Sequence, residues 1–349
     1  MRARSPTIGR GSGADTTMSM RFNEIGQKLR AFRLESGLRA EEIAARLGVS
    51  RAALYRYEKG EVIKLDTIKR LAELLKVSPL SLLGFGIEYY SRPIGYFERL
   101  RQLEETADQI LEIFGPLCYL TTSDEFDLAL SKAFEDLADM ADTARNEPVA
   151  LRSQAEQVLG ILAARKRVYK MRRPNIICMV TVSGVQCLLE QGISGGLPVS
   201  DRVRRIGRQV AVTEVENMAA LMEAEPMGLQ FGLLNGVGPS SLFKVLRARD
   251  RVNLAINPFR PETAPGMQTG VAMITATDDA VAAHQRVAEA TWRDALKGPA
   301  GAQRLRELAN AVGAAQYQPQ KVLDSSQARS GGAASRTPAG ESVSRPPVY

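Results

Sequence analysis

Two short stretches with helical periodicity flank a glycine-containing turn, and this pattern constrains the fold more than any other feature of the sequence. The first stretch, AEEIAARL, has two glutamates in its first turn, where the helix dipole favours negative charge. It ends at Gly48, a residue type that commonly terminates helices. Ser50 follows as a good N-cap for a second helix, RAALYRYEKG. Two short helices joined by a tight turn form a helix-turn-helix.

Three further helical patterns surround this pair, so residues 21–85 are predicted to form an all-α domain of five helices. The segment IGQKLRAFRLES places Ile25 and Phe32 on one face. The segment DTIKRLAELLKV begins with a predicted cap at Asp66. The segment PLSLLGF begins at Pro79, a position where the missing N–H of proline costs little.

The net charge of the chain is concentrated in this N-terminal unit. Residues 1–85 hold 16 Lys and Arg against 9 Asp and Glu, which accounts for the whole formal charge of +7. The remaining 264 residues hold 30 of each sign and are neutral. A small basic unit attached to a neutral one is typical of a nucleic-acid-binding domain. A basic domain that is merely soluble is the alternative on charge alone.

Residues 25–83, with LRAEEIAARLGVSRAALYRYEKGE at their centre, resemble the Cro/repressor-type helix-turn-helix family, the xenobiotic-response-element regulators. The positions that carry the resemblance are Ala44, Gly48, Val49, Leu54, Glu58 and Gly60. The resemblance implies that the second motif helix enters the DNA major groove and that Glu58 is structural. Where the family often has a phosphate-contacting Gln, this chain has Ala40, so the contact is lost or supplied by Arg39. A helix-turn-helix that binds protein is the alternative.

The second motif helix carries the predicted base-reading side chains. Arginine is the commonest reader of guanine because its fork matches two acceptors on one base edge. We therefore expect Arg51 and Arg56 to contact bases or phosphates. Lys59 and Lys64 are better placed for phosphates, which position a domain without reading sequence. The predicted DNA-contacting residues are Arg39, Ser50, Arg51, Ala52, Tyr55, Arg56, Lys59 and Lys64.

Apolar residues with heptad spacing follow, inside a predicted linker at residues 86–115. They are Tyr96, Leu100, Leu103, Ala107, Ile110 and Phe114. This spacing is typical of a helix that pairs with a second copy, but also of an amphipathic helix that packs on its own domain. A homodimer is expected in either case, because regulators of this kind usually read two half-sites about one DNA turn apart.

Residues 116–324 are predicted to form an α/β domain with a mostly parallel sheet. Helical patterns fill residues 116–170, and strand-like apolar runs then alternate with helical stretches such as SSLFKVLRARD. The predicted strands are residues 175–182, 208–215, 229–235, 251–259 and 270–277. Strands of near-continuous apolar character between helices are typical of a parallel sheet covered on both faces.

Polar residues that follow these strands are candidate ligand contacts, because ligands of such sheets bind beyond the carboxyl ends of the strands. These residues are Ser183, Asn235, Gly238, Ser240, Ser241 and Thr275. The loop NGVGPSS offers glycines and a predicted helix N-terminus suited to a polar ligand, and a plain strand-to-helix turn is the alternative. The basic cluster at residues 165–173 is either a solvated helix end or a site for an anionic effector.

Cysteine and histidine content argues against several classes of protein. Three cysteines without a CxxC pair exclude a disulfide framework and argue against structural zinc. The single histidine, His284, lies in a helical pattern, which argues against a histidine-based metal centre or a Ser-His-Asp triad. We therefore expect no catalytic residue, metal or cofactor, and a protein that is not an enzyme. Without a membrane-spanning or signal-like apolar run, a cytoplasmic location is expected. The polar segments 1–20 and 325–349 are expected to be disordered.

Together these features predict a transcription regulator that binds double-stranded operator DNA and senses a small-molecule effector through its α/β domain. The alternative is an enzyme or an oligomerisation domain fused to an autoregulatory DNA-binding domain.

Overall fold

The computed structural model describes residues 13–142, 148–235, 242–259 and 270–316. The N-terminal unit has five helices, which confirms the predicted all-α domain. They are α1 Gly13–Ser36, α2 Ala40–Leu47, α3 Arg51–Glu58, α4 Leu65–Leu75 and α5 Pro79–Leu83. Because α1 begins at Gly13, residues 13–20 of the expected disordered arm are helical. The expected disordered tail lies outside the described residues. Lys64, not Asp66, precedes α4.

The apolar faces of these five helices meet in one core. Leu29, Ile43, Leu54 and Leu71, from α1 to α4, are completely buried, and Leu82 of α5 joins them. Each such side chain contributes about 1.5–3 kcal/mol through its removal from water. The helical periodicity of the sequence therefore identifies the buried face of each helix correctly.

The second unit has seven strands and helices α6 to α12 among the described residues. The strands are β1 Glu88–Tyr90, β2 Gln109–Gly115, β3 Asn175–Thr181, β4 Leu229–Leu234, β5 Leu242–Arg247, β6 Val252–Asn257 and β7 Ala272–Thr275. The helices are α6 Pro93–Glu104, α7 Asp124–Asp142, α8 Pro148–Arg172, α9 Val182–Gln191, α10 Asp201–Ala224, α11 Asp278–Asp294 and α12 Gly298–Gln316. In the described part of the chain, no helix is both long and apolar enough to cross a membrane.

The seven strands form a mixed sheet, not the mostly parallel sheet that the sequence predicts. Their order is β1-β7-β6-β5-β2-β3-β4. Strands β2, β3 and β4 are parallel, whereas β5, β6, β7 and β1 pair antiparallel with their neighbours. The connection between β5 and β6 is residues 248–251, which allows only a hairpin, because parallel strands need a crossover of about a dozen residues or more.

Two segments of the predicted α/β domain have a different secondary structure from the predicted one. Residues 208–215, predicted as a strand, lie inside α10, where Gly207, Ala211, Val215 and Met218 are buried at intervals of three or four. This helical period over 24 residues overrides the short alternation in RQVAVTEV. Conversely, the predicted helix SSLFKVLRARD contains β5, because pairing with β2 on one side and β6 on the other decides its structure.

The heptad seam does not form a coiled coil. Helix α6 ends at Glu104, and Ile110 and Phe114 lie in β2. Every residue of α6 except Arg101 is buried, with α1 packed on one side and α8 on another. No face of α6 is free for a second copy, so the amphipathic helix packed within its own chain is the correct alternative.

A buried ion cluster joins the five-helix unit to the sheet. The carboxylate of Glu88 in β1 pairs with Lys28 of α1 at 2.6 Å and with Arg99 of α6 at 2.9 Å. The Tyr90 hydroxyl donates to the same carboxylate at 2.7 Å. All four side chains are at most 3% exposed. Although burial opposes ionisation, Arg99 and Lys28 hold the pKa of Glu88 down at about 2.

Helix α1 is fastened to the second unit at several further points. The Glu35 carboxylate accepts from the Ser91 N–H at 2.6 Å and from its hydroxyl at 2.7 Å, just before α6. Gly95 allows the close approach, because a Cβ there would lie within about 3 Å of Glu35. Arg251, in the β5–β6 hairpin, pairs with Glu24. The described parts of the two units thus form one continuous packed structure.

The predicted basic cluster at residues 165–173 is not one surface. Arg165 makes two 2.8 Å hydrogen bonds to Glu104, and Lys166 pairs with Asp127 at 2.8 Å. Both cations are nearly inaccessible. For these two residues the prediction of a solvated helix end is wrong, because acidic side chains inside the protein balance their charges.

Replacement of Glu88 by Gln is expected to lower the free energy of unfolding by about 3–5 kcal/mol at pH 7, because two buried cations lose their partner. The pKa of Glu88 is about 2 in the folded protein against an ordinary 4.5. Its stabilising effect is therefore present above pH 4.5 and lost as the pH falls toward 2. Urea unfolding at pH 7, 4.5 and 3 should show that the difference in the free energy of unfolding between the unmodified chain and Glu88→Gln decreases as the pH falls.

Glu73→Gln, at an exposed position of α4, is the matched control. It should change stability by no more than about 0.5 kcal/mol at each pH. A wild-type advantage over Glu88→Gln that is as large at pH 3 as at pH 7 would contradict the depressed pKa.

Candidate nucleic-acid interface

The turn between α2 and α3 is set by one glycine. Gly48 has a φ of 72°, the left-handed region that favours glycine. The following N–H, that of Val49, donates to the Ala44 carbonyl at 3.0 Å and closes the end of α2. The hydroxyl oxygen of Ser50 accepts from the Ala53 N–H at 3.1 Å, which confirms Ser50 as the N-cap of α3.

Helix α3 is held against α1 by an apolar contact and an ion pair. Leu54 is completely buried, and the Glu58 carboxylate accepts two hydrogen bonds from Arg33 at 2.5 and 3.1 Å. Gly26 of α1 lies so close that a Cβ there would come within 3 Å of the backbone of Tyr57. Glu58 thus has the structural role that the family resemblance implies, and α1 fixes the orientation of α3.

The outward face of α3 carries the residues expected to contact DNA. Arg51, Ala52 and Arg56 are exposed, and Tyr55 is half-buried beside them. Lys59 follows α3 and Lys64 precedes α4, and both are exposed. Arg39 and Ser50, the residues before α2 and α3, are exposed as well. The fold therefore places seven of the eight predicted residues on or next to the two motif helices, and Lys64 at the start of α4.

Acidic partners of these arginines were missed by sequence reasoning. Arg51 pairs with Glu41 at 2.9 Å, and its guanidinium lies 5.4 Å from the centre of the Tyr55 ring. Arg56 pairs with Glu61 at 2.9 Å. Arg39 similarly pairs with Glu42, three residues along α2. Only this last pair has a local spacing that could have been read from the sequence.

Residues 24–82 match the model of a protein family described as a helix-turn-helix domain. The match begins inside α1 and ends inside α5, so it covers the geometry just described. The N-terminal unit is a helix-turn-helix domain.

A curated protein of Pyrococcus horikoshii, named "Putative HTH-type transcriptional regulatory protein", is 33% identical to this chain over 147 residues. That alignment covers 39% of this chain and 45% of the relative, so the chain spans under half the length of the curated relative. Among solved structures, TrmBL2, titled an archaeal chromatin protein with a novel mode of DNA binding, aligns with 11% identity and a TM-score of 0.28. The alignment covers 66% of this chain and 61% of TrmBL2. An agreement of that size does not define a shared fold.

The predicted ligand-contacting residues are not brought together. Ser183 and Asn235 are exposed at the carboxyl edge of β3 and β4. Thr275 is buried in β7, which runs opposite to these strands and leads away from that edge. Gly238, Ser240 and Ser241 lie outside the described residues. The NGVGPSS loop precedes β5 and not a helix, so the predicted helix N-terminus for a polar ligand is wrong.

No group of three or more potential His, Cys, Asp or Glu metal ligands occurs among the described residues.

Substitution of Gly48 by Ala is expected to lower the free energy of unfolding by about 1–2 kcal/mol, because alanine is strained in the left-handed region. The added methyl group would meet no atom within 4 Å, so the cost is conformational. Gly160→Ala in α8 also adds a methyl group to open space, but at a helical position, and should stabilise by about 0.5–1 kcal/mol. Urea unfolding should show a lower free energy of unfolding for Gly48→Ala and a higher one for Gly160→Ala. Changes in the same direction would contradict the turn geometry.

Proposed function

We propose that this protein is a sequence-specific, DNA-binding transcription regulator. The proposal rests on the helix-turn-helix domain at residues 24–82, which presents two exposed arginines on the outward face of α3. In this fold the second motif helix lies in the major groove, and the first crosses the DNA backbone. The concentration of the whole net charge in residues 1–85 supports the same partner.

The side chains divide into base-reading and positioning groups. Arg51 and Arg56 reach bases from α3, where the arginine fork matches guanine O6 and N7. Ala52 and the half-buried Tyr55 add apolar contact, as alanine does with the thymine methyl group. Arg39, Ser50, Lys59 and Lys64 contact phosphates and position the domain.

The acidic partners of the arginines support this division. Arg51 and Arg56 are about 60–65% exposed and are held by Glu41 and Glu61 in the free protein. Exposed ion pairs of this kind contribute little to stability and are easily exchanged. Guanine therefore replaces the weakly held carboxylate as the partner of each arginine. A base without matching acceptors offers no such replacement.

We further propose that two copies bind one operator, because helix-turn-helix regulators usually read paired half-sites. The apolar surface of the helix-turn-helix domain supports this arrangement. Phe85 is 74% exposed and Leu80 is 59% exposed. They are neighbours, because the Phe85 N–H donates to the Leu80 carbonyl at 2.9 Å. In this proposal they form the contact between copies that α6 cannot supply.

The proposed regulator responds to a small molecule bound by the sheet unit. Support comes from the buried carboxylate of Glu88, which contacts Lys28 of α1 and Arg99 of α6 and so joins the two helices. Such a response requires that the molecule bind two arrangements of the protein with different affinity.

Replacement of Arg51 or Arg56 by Ala is expected to weaken binding to the preferred site about ten- to a hundredfold, because a bidentate guanine contact is lost. The preferred site is first selected from a pool of random duplexes with the full-length protein. Binding to random DNA should weaken much less. Affinities of both duplexes at two salt concentrations test this.

Lys64→Ala is the matched control, because it removes a phosphate contact. It should weaken both duplexes similarly and reduce the salt slope by about one unit. If Arg51→Ala and Arg56→Ala each weaken the two duplexes equally, these arginines contact phosphates and do not read bases.

Phe85→Lys is expected to shift the protein toward the monomer in sedimentation velocity runs, because a cation replaces the apolar side chain at the proposed contact. Met227→Lys, at an exposed apolar residue of the second unit, should leave the oligomeric state unchanged. A Phe85→Lys protein that sediments like the unmodified chain would remove this surface from the proposed dimer.

A further inference from the structure

A narrow cleft opens at the carboxyl end of β2, between α6 and the adjacent ends of β5 and β6. Its walls include Phe97, Leu100, Glu112, Lys244, Asn257 and Phe259. The cleft has a volume of about 50 Å³, which holds only a few water molecules. It lies at the edge of the sheet where the carboxyl ends of parallel strands place ligands.

One wall of the cleft carries an ion pair whose two groups can form further hydrogen bonds. Glu112 and Lys244 face each other across the β2–β5 ladder, and their charged groups are 2.8 Å apart. An ammonium group has three donors, and a carboxylate has about four acceptor sites. Each partner can therefore accept a second group of opposite charge. A molecule that carries one carboxylate and one ammonium group on adjacent positions matches this pair.

A polar group without a partner lies beside the same cleft. Tyr96 is completely buried, and its hydroxyl has no hydrogen-bond partner among the described residues. Its ring packs against Phe97 and Phe259, two residues that line the cleft. Burial raises the pKa of Tyr96, so the hydroxyl stays a donor. Buried tyrosine hydroxyls usually have a partner, and this one is available to donate to a ligand atom.

Helix α6 connects this cleft to the helix-turn-helix domain. Phe97 and Leu100 line the cleft, whereas Glu98 and Gln102 of the same helix contact α1. Glu98 pairs with Arg30 at 2.8 Å, and the Gln102 amide donates to the Gln27 carbonyl at 3.0 Å. Helix α1 in turn holds α3 through the Arg33–Glu58 pair. Contacts thus run without a gap from the cleft to the DNA-facing helix.

We propose that this cleft binds a small zwitterionic α-amino acid and that its occupancy changes the affinity for DNA. The ligand carboxylate pairs with Lys244 and accepts from the Tyr96 hydroxyl, and its ammonium group pairs with Glu112. A ligand between α6 and the ends of β5 and β6 shifts α6, which contacts α1, and in this way supplies two arrangements of different affinity. The effect on DNA rests on the function proposed above, whereas the binding of the amino acid does not.

Calorimetric titration of the full-length protein with glycine, L-alanine and L-serine tests the binding step. At least one of them should bind, whereas propionate and ethylammonium, which carry one charge each, should not. Tyr96→Phe should weaken binding about tenfold through the loss of one hydrogen bond. It should leave the melting temperature unchanged, because the hydroxyl has no partner in the protein. Tyr89→Phe, at an exposed residue of β1, should bind like the unmodified chain.

Several results would overturn the proposal. The proposal fails if none of the three amino acids binds. It also fails if the Tyr96→Phe and Glu112→Gln proteins both bind the amino acid as tightly as the unmodified chain. Amino-acid binding that leaves the affinity for the selected DNA site unchanged would refute the coupling. A protein that binds the amino acid through Tyr96 but binds no DNA would contradict the proposed regulator and support the cleft assignment.

Discussion

The arrangement of the molecule depends on one buried carboxylate, that of Glu88. It lies on an edge strand of only three residues and accepts from Lys28, Arg99 and Tyr90, which come from α1, α6 and β1. Neither cation could remain buried without it, because the desolvation cost of an unpaired charge is several kcal/mol. The three elements can therefore approach only in the geometry that brings all three donors to one acceptor. This requirement fixes the helix-turn-helix domain on the sheet.

The rigid attachment limits how a change in the sheet unit can reach α3. Helix α3 takes its orientation from α1, through Arg33 and the close contact at Gly26. Helix α1 takes its own position from α6 and β1. A change that moves none of the elements in contact with α1 therefore leaves α3 in place. Since packed interiors deform in discrete steps, regulation through the sheet unit would have to move α6, β1 or the β5–β6 hairpin, which all contact α1.

Structure that is decided locally could be predicted from the sequence, and structure that depends on distant pairing could not. Gly48 and Ser50 specify the turn between α2 and α3 by their own chemistry, so the helix-turn-helix was identified from a few residues. The run QILEIFG fits a heptad and a buried strand equally well, and only its neighbours β3 and β5 make it a strand. The segment at residues 242–247 was misassigned for the same reason. The mixed direction of the sheet follows from these two strands.

The same distinction applies to the site. The exposed arginines of α3 could be predicted because helical geometry determines which residues face outward. Their partners Glu41 and Glu61 could not, because they come from the preceding helix and the following loop. These acids repel phosphates, so they oppose binding to DNA of any sequence. In the proposed complex an arginine also gives up its carboxylate partner, and guanine compensates for that lost pair with two hydrogen bonds, whereas a base without matching acceptors does not. If these arginines read bases as proposed, the carboxylates lower the affinity for sequences without guanine more than the affinity for the preferred site, and in this way they raise selectivity.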